Sequence, residues 1–476
     1  MSGLKHKIFH RDKQISSSVI RLGLPVIASN LSRTFMSLAD MAMVGRLGAA
    51  ALAATGMGAM LTWIVLSFGI SFRTATQTVT ARRLGHKKYE ECGTALRNGH
   101  ILSALFGIPV SLLGYFFADK LVPLFLDDPD VIAMCVDYAS IAFLSAFFTT
   151  FGFAFQGFFT GIERTRIHMN VTIVSNLLNV YLNAGLIYGR EGIQSGLSSV
   201  TGIDLTWLGT LWAWYPFPAL GVKGAALATF IASLWMAIHY SFYLLAPKIR
   251  RKFNVFAFTL NKAMMKRQIK LALPQGSQEM LVVLGYAMFY KILAMIGVIE
   301  LAATEVVFTI LHTSFMPAAG IGQACATLVG KYLGEKAPDK AETSIVESIR
   351  WSTIIMGTFG LLFIFIPHHI LPIFTNDPDV IKIGIVALRL AGIVQFADAF
   401  GMTLWFALSG AGNTFFPALI ESLIMWIFFL PFAYLTGVIL EWGFIGPWIG
   451  MGTYLFLFAA ILLWKTLKGD WKEIEV

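Results

Sequence analysis

The sequence has little charge and few cysteines. Only 13% of its 476 residues are Asp, Glu, Lys or Arg, whereas a soluble globular chain carries about 25%. Its three cysteines are far apart in the chain, which argues against a disulfide framework or a cysteine-based metal site. The sequence also lacks a GxxxxGK[ST] run, the loop that cradles ATP phosphates. It has no nucleophile–base or metal-ligand cluster, so we do not expect an enzyme.

Long apolar runs dominate what is present. Hydrophobic residues make up 57% of the chain, and the mean hydropathy is +0.70. Repeated apolar blocks of about 20 residues are typical of membrane-spanning helices. The alternating segments of a membrane β-barrel are not found. We therefore predict an all-α integral membrane protein. Its twelve predicted spans lie near residues 19–43, 54–80, 97–118, 131–157, 167–188, 221–246, 269–292, 302–330, 350–369, 381–408, 414–439 and 443–465.

The basic residues concentrate in alternate connections. The connections after the second, fourth, sixth and eighth spans are rich in Lys and Arg, as in "PKIRRKFNVFAFTLNKAMMKRQIK". Such loops face the cytoplasm in membrane proteins. We therefore predict a multi-pass protein of a bacterial or archaeal plasma membrane with both termini cytoplasmic. This topology accounts for the net charge of +9 without a nucleic-acid partner.

Several segments recur at a constant distance. "LGLP" at 22–25 is followed by "LALP" at 271–274, and "LVPLFLDDPDVI" at 121–132 by "ILPIFTNDPDVI" at 370–381. Both distances are 249 residues (271 − 22 and 370 − 121). "GVKGAA" at 221–226 resembles "GFIGPW" at 443–448 at a distance of only 222. The first half must therefore carry about 27 extra residues between its fifth and sixth helices.

Two pseudo-symmetric six-helix bundles follow from this repeat. Six is an even number, so both halves start on the same side of the membrane, as in a parallel repeat. Two such bundles can rock against each other and expose the cleft between them to alternate sides. The predicted segments are a cytoplasmic N terminus (1–18), an N-lobe (19–246) with an outer insertion at about 189–218, a linker (247–268), a C-lobe (269–466) and a cytoplasmic tail (467–476).

The segment "LGLPVIASNLSRTFMSLADMAMVGRLGAAALAATG" resembles the first-helix signature of the multidrug and toxic compound extrusion (MATE) family. "LNVYLNAGLIYG", "GVKGAALAT" and "QFADAFGMTLWFALSGAGNT" support the resemblance. It implies an antiporter that exchanges H⁺ or Na⁺ for small organic, often cationic, compounds. We expect a monomer in membrane lipid with no cofactor besides the coupling ion. The alternative is a flippase for lipid-linked oligosaccharides of the same superfamily, which would need a strongly basic central cavity.

One carboxylate, Asp40, lies in the first predicted span. A charged side chain at the centre of a membrane helix costs about 2.5–3.5 kcal/mol on insertion scales and usually marks an ion pathway. Ser29, Ser32, Arg33 and Ser37 share its helix face, so we predict that Asp40 points into a cavity of the N-lobe. The resemblance implies that it is the proton-site aspartate. The alternative is a structural carboxylate paired with Arg33.

The fifth span offers Asn179 and Asn183, one helical turn apart. In the resembled family, an Asn followed four residues later by Asp or Asn completes the cation site of the first lobe. Amide oxygens can coordinate Na⁺ or hold a protonated aspartate. We expect Thr229 and Gln156 to line the same cavity. The alternative for these side chains is hydrogen bonding between helices.

The second lobe has no counterpart of Asp40, because the offset of 249 leads to Phe289. Asp398 matches a tenth-helix aspartate that sodium-coupled members of the family use. Glu279 loosely resembles the seventh-helix glutamate of the family, and Glu305 lies early in the eighth span. We predict that these three acids form a cation or substrate site where Na⁺ can bind. The alternatives are a buried polar network, solvation at a helix end, or neutralisation of Asp398 by Arg389.

Overall fold

The computed structural model describes residues 11–201, 210–257 and 260–476. Twelve long helices run through this part of the chain. They are α1 (Lys13–Gly45), α2 (Ala49–Gly85), α3 (Tyr89–Leu121), α4 (Pro129–Gly161), α5 (Thr165–Thr201), α6 (Val222–Leu245), α7 (Lys262–Ile296), α8 (Val298–Gly334), α9 (Pro338–Phe365), α10 (Pro378–Ala411), α11 (Phe415–Ile439) and α12 (Ile445–Lys468). Eleven are long and apolar enough to cross a membrane. The exception is α1, because one of its faces is polar.

All twelve predicted helices are confirmed, and most extend beyond their predicted ends. The first begins at Lys13 rather than residue 19, and the seventh at Lys262 rather than residue 269. The predicted ends followed the apolar runs, which report the hydrocarbon core. The helices continue past that core as polar turns. A 37-residue helix such as α2 is about 55 Å long, whereas the core of a bilayer is about 30 Å thick.

The internal repeat also governs where helices begin. Helix α4 begins at Pro129 and α10 at Pro378, again 249 residues apart. In each case the preceding aspartate, Asp128 or Asp377, caps the helix. Its carboxylate accepts a hydrogen bond of 2.9 Å from the backbone N–H two residues later. The cap satisfies amides that the first helical turn leaves unpaired, and proline at the first position sacrifices no bond.

The turns repeat in the same way. Gly221 and Gly443, 222 residues apart, precede α6 and α12 with positive φ values of 55° and 59°. Such a backbone favours glycine, because a Cβ atom makes it costly. The offsets of 249 and 222 thus hold in three dimensions. Helices α1–α6 form the N-lobe and α7–α12 form the C-lobe.

The two lobes meet mainly through α1, α2, α7 and α8. Their contact is tight at the face of the bundle that carries the start of α1 and the end of α12, which we call the terminal face. Gln77 on α2 donates to the backbone oxygen of Gln323 on α8 (2.8 Å). Lys331 and Glu163 form an ion pair across the lobes at 3.0 Å. The lobes are therefore joined at the terminal face.

Two segments outside the bundles correct or extend the predicted organisation. Helix α5 is broken at Gly189, whose φ of 70° is not helical, at the start of the predicted insertion. Residues 202–209 of that insertion, like residues 1–10 of the predicted N-terminal segment, lie outside the described residues. The C-terminal tail packs against the bundle rather than extending freely. Trp471 is fully buried, and Arg82 donates to the backbone oxygen of Ile474 at 3.1 Å.

Candidate functional site

A chain of hydrogen bonds connects Asp40 to α5 and α6. The amide nitrogen of Asn183 donates to the carboxylate of Asp40 and to Oδ1 of Asn179, the latter at 3.0 Å. Asn179 in turn donates to Oγ1 of Thr229 at 3.3 Å. Asp40 is half-buried, and both asparagines are almost fully buried. The predicted N-lobe residues Asp40, Asn179, Asn183 and Thr229 therefore lie together, as a chain across three helices.

Asp40 does not depend on Arg33. No ion pair or hydrogen bond joins Asp40 to Arg33 in the described part of the chain. The amide oxygen of Asn183 is buried and has no hydrogen-bond donor. An acceptor without a donor therefore lies beside the carboxylate, which is the arrangement that a bound cation or an added proton would complete.

Gln156 does not join this chain of hydrogen bonds. Its side-chain amide donates to the amide oxygen of Gln323 on α8 at 3.3 Å, across the lobe interface. It lies five residues from the end of α4, near the terminal face, whereas Asp40 lies near the other end of α1. The expectation that Gln156 lines the same cavity is therefore corrected. Its helix face was inferred well, but the distance along the helix was ignored.

The polar face of α5 extends beyond the two asparagines. Asn176 donates to Oγ of Ser32 on α1 at 3.0 Å. One turn further towards the terminal face, Nδ1 of His168 lies 2.6 Å from the hydroxyl oxygen of Tyr240 on α6. His168, Thr172, Asn176, Asn179 and Asn183 follow one another at spacings of three or four residues, which aligns them on one side of a helix. That spacing is the signal by which His168 could have been found from sequence.

The C-lobe holds a group of three half-buried acids, Glu279, Asp398 and Glu421. Each of the other two lies within electrostatic range of Glu421. Glu421 accepts a hydrogen bond from the amide of Gln278 at 2.9 Å and from the hydroxyl of Tyr454 at 3.3 Å. Glu421 escaped the sequence prediction. It begins the apolar run "ESLIMWIFFL", so the argument that selected Asp40 would have selected it too.

Glu305 and Arg389 lie apart from these acids. Glu305 is exposed and interacts with Tyr290 and His312. Arg389 is exposed and donates to the backbone oxygen of Ile364 at 3.3 Å, so it does not neutralise Asp398. Among the described residues, no three His, Cys, Asp or Glu side chains converge closely enough to hold a metal ion.

These features define a class of protein. Twelve long helices in two repeated lobes, with ionisable groups in both lobes at membrane depth, are the architecture of a multi-pass membrane transporter. The model of the MatE family matches residues 25–184 and 274–435, which is more than half of the chain. The chain belongs to the MatE family.

Individual relatives are distant but match over nearly the full length. A probable multidrug resistance protein NorM from Thermotoga maritima is 25% identical over 464 residues, covering 97% of this chain and 94% of the relative. An uncharacterized transporter, YisQ of Bacillus subtilis, is 24% identical and covers 91% of this chain and 90% of its own length. Among solved structures, a MATE protein in the straight conformation is 20% identical, with a TM-score of 0.84 and full coverage of both chains. A MOP superfamily transporter from Pyrococcus furiosus is 19% identical, with a TM-score of 0.83, covering 100% of this chain and 99% of its own.

Proposed function

We propose that the protein is a secondary active multidrug efflux antiporter that exports small organic compounds in exchange for H⁺ or Na⁺. The observation that carries the proposal is the chain from Asp40 through Asn183 and Asn179 to Thr229, buried inside one lobe. Relatives named as multidrug resistance proteins support the substrate class. We place the protein in a bacterial or archaeal plasma membrane as a monomer, with its terminal face in the cytoplasm.

The coupling step follows from the hydrogen bonds of Asp40. As a carboxylate, Asp40 accepts from Asn183. Once protonated, it becomes a donor, and the amide oxygen of Asn183 is an acceptor that has no donor. Binding of the ion therefore favours a different arrangement of α1 against α5 than its release does. A difference of this kind between two states is what allows an ion gradient to drive a conformational change.

The C-lobe provides the acids for a second cation site. We propose that Glu279 and Asp398 bind either the cationic part of the substrate or Na⁺, with Glu421 held beside them by Gln278 and Tyr454. Glu305 would act one turn away, near the end of the cleft. The acids argue against a pyrophosphate cargo and hence against the flippase alternative, since like charges repel across a low-dielectric cleft.

The test is transport by the purified protein in liposomes with separately imposed pH and sodium gradients. Efflux of a fluorescent organic cation should respond to one of the gradients. Asp40→Asn should abolish that response, whereas Asp119→Asn, which removes an exposed acid at the end of α3, should leave it unchanged. Transport by Asp40→Asn that still follows the gradient at the wild-type rate would refute the proposal.

A further inference from the structure

Two arginines of the N-lobe, Arg33 on α1 and Arg73 on α2, lie within the membrane-spanning helices and are half-buried. No described residue forms a hydrogen bond or an ion pair with either guanidinium group, and Nε of Arg73 is buried without any partner. Other charges of this chain are paired, as Lys331 is with Glu163 and Lys223 with Asp137. Two unpaired cations at this depth are therefore unusual and costly.

The two arginines are close to each other. Each of them acts electrostatically on His168, and Arg33 acts on Arg73. The nearby groups on α5 and α6 are neutral, since His168 bonds to Tyr240. Repulsion between two like charges in a low-dielectric lobe adds to the cost of burying each one. A group that pays no structural return in this way is typical of a binding site that lacks its ligand.

The opposite wall of the cleft carries the other sign of charge. Arg73 feels the charge of Glu279 on α7 across the lobes, yet the two side chains form no ion pair. Glu279 in turn belongs to the group with Glu421 and Asp398. The cleft is thus bipolar, with arginines on the N-lobe side and carboxylates on the C-lobe side.

We propose that the cleft binds a zwitterionic organic molecule, whose carboxylate is held by Arg33 and Arg73 and whose cationic end faces Glu279 and Asp398. The inference rests on the proposed function, because this molecule would be the exported compound. Guanidinium groups suit the anionic end, since their planar N–H donors bind a carboxylate through paired hydrogen bonds. A simple cation would leave the two arginines unpaired and would add a third positive charge to the cleft.

The test uses two dyes that differ in one group. Rhodamine 110 carries a free carboxylate, and rhodamine 123 is its methyl ester, so only the first is a zwitterion. Binding of each dye to the detergent-solubilised full chain is followed by fluorescence polarisation. The wild type should bind rhodamine 110 more tightly. Arg33→Gln and Arg73→Gln should each weaken that binding by about tenfold or more, as expected for loss of a charge-assisted hydrogen bond.

The matched controls separate charge from folding. Both variants should bind rhodamine 123 as well as the wild type does, which also shows that they are folded. Arg33→Lys should recover part of the binding of rhodamine 110, because it restores the charge without the planar fork. Arg389→Gln removes an equivalent charge from α10, outside the cleft, and should change neither affinity.

Equal binding of the two dyes to the wild type would overturn the inference, as would equal weakening of both dyes in the arginine variants. Because these measurements are made at equilibrium without a gradient, they do not depend on coupling. A protein that binds rhodamine 110 through both arginines but transports nothing would refute the proposed function and retain the binding site.

Discussion

Joining of the lobes at the terminal face requires a close approach of two backbones. Gly85 at the end of α2 and Gly334 at the end of α8 are 249 residues apart and equivalent in the repeat. A Cβ atom at Gly85 would lie 2.0 Å from the backbone oxygen of Lys331, and one at Gly334 would lie 2.3 Å from that of Arg82. Gly85→Ala should therefore separate the lobes at this face.

The size of the effect follows from the geometry. Ordinary van der Waals contact begins at 3.4 Å, so the two backbones must move apart by about 1.4 Å to admit one methyl group at Gly85. Forcing a methyl group into a packed interface costs about 1–3 kcal/mol. A cost of about 2 kcal/mol shifts an equilibrium between joined and separated lobes by about 30-fold towards separation.

Distances between spin labels measure this shift. Cysteines introduced at Glu90 and Lys340, which are exposed near the starts of α3 and α9, place one label on each lobe at the terminal face. The three native cysteines are buried. Gly56→Ala is the matched control, because it makes the same substitution on α2, where a Cβ atom meets nothing within 4 Å.

Gly85→Ala should move the distance distribution towards longer values and should lower the rate of transport. Gly56→Ala should change neither quantity. If Gly85→Ala shows the wild-type distribution and rate, the lobes do not need this contact, and the account of how they close is wrong.

Three further predictions concern single side chains. Glu163→Gln breaks the ion pair with Lys331, so the terminal-face distance should lengthen slightly at low salt and the difference should vanish at high salt, because such a pair contributes less than about 1 kcal/mol. Asn183→Ala leaves Asp40 without its donor and should destabilise the protein by about 1–3 kcal/mol, measured as a lower Tm in detergent. Glu421→Gln keeps hydrogen-bonding atoms in place, so its Tm should stay near that of the wild type while its affinity for organic cations falls; a large loss of Tm would instead indicate a structural role.

The helices and the repeat could be predicted from sequence because both are local or periodic signals. An apolar run reports a span by itself, and two copies of "DPDVI" report equivalent helix starts. Asp40 could be predicted for a similar reason, since one charge in an apolar run stands out. The face of α1 that holds Asp40 also predicted its inward orientation.

Contacts between lobes could not be predicted in this way. Gln156 lies on an inward face, but periodicity does not say which lobe that face meets or at what depth. The proximity of Arg33 and Arg73 depends on how α1 packs beside α2 and α5, which no spacing within one helix encodes. The hydrogen bonds of Glu421 likewise join three helices that are far apart in sequence.

The central claim is that Asp40 carries the coupling ion, and the most direct test is release of that ion when substrate binds. Purified protein in weakly buffered, sodium-free detergent solution is mixed with rhodamine 110, and a pH-sensitive dye records the protons released. The account predicts release of up to about one proton per bound dye by the wild type and none by Asp40→Asn, with dye binding retained. Equal release by both proteins would contradict it.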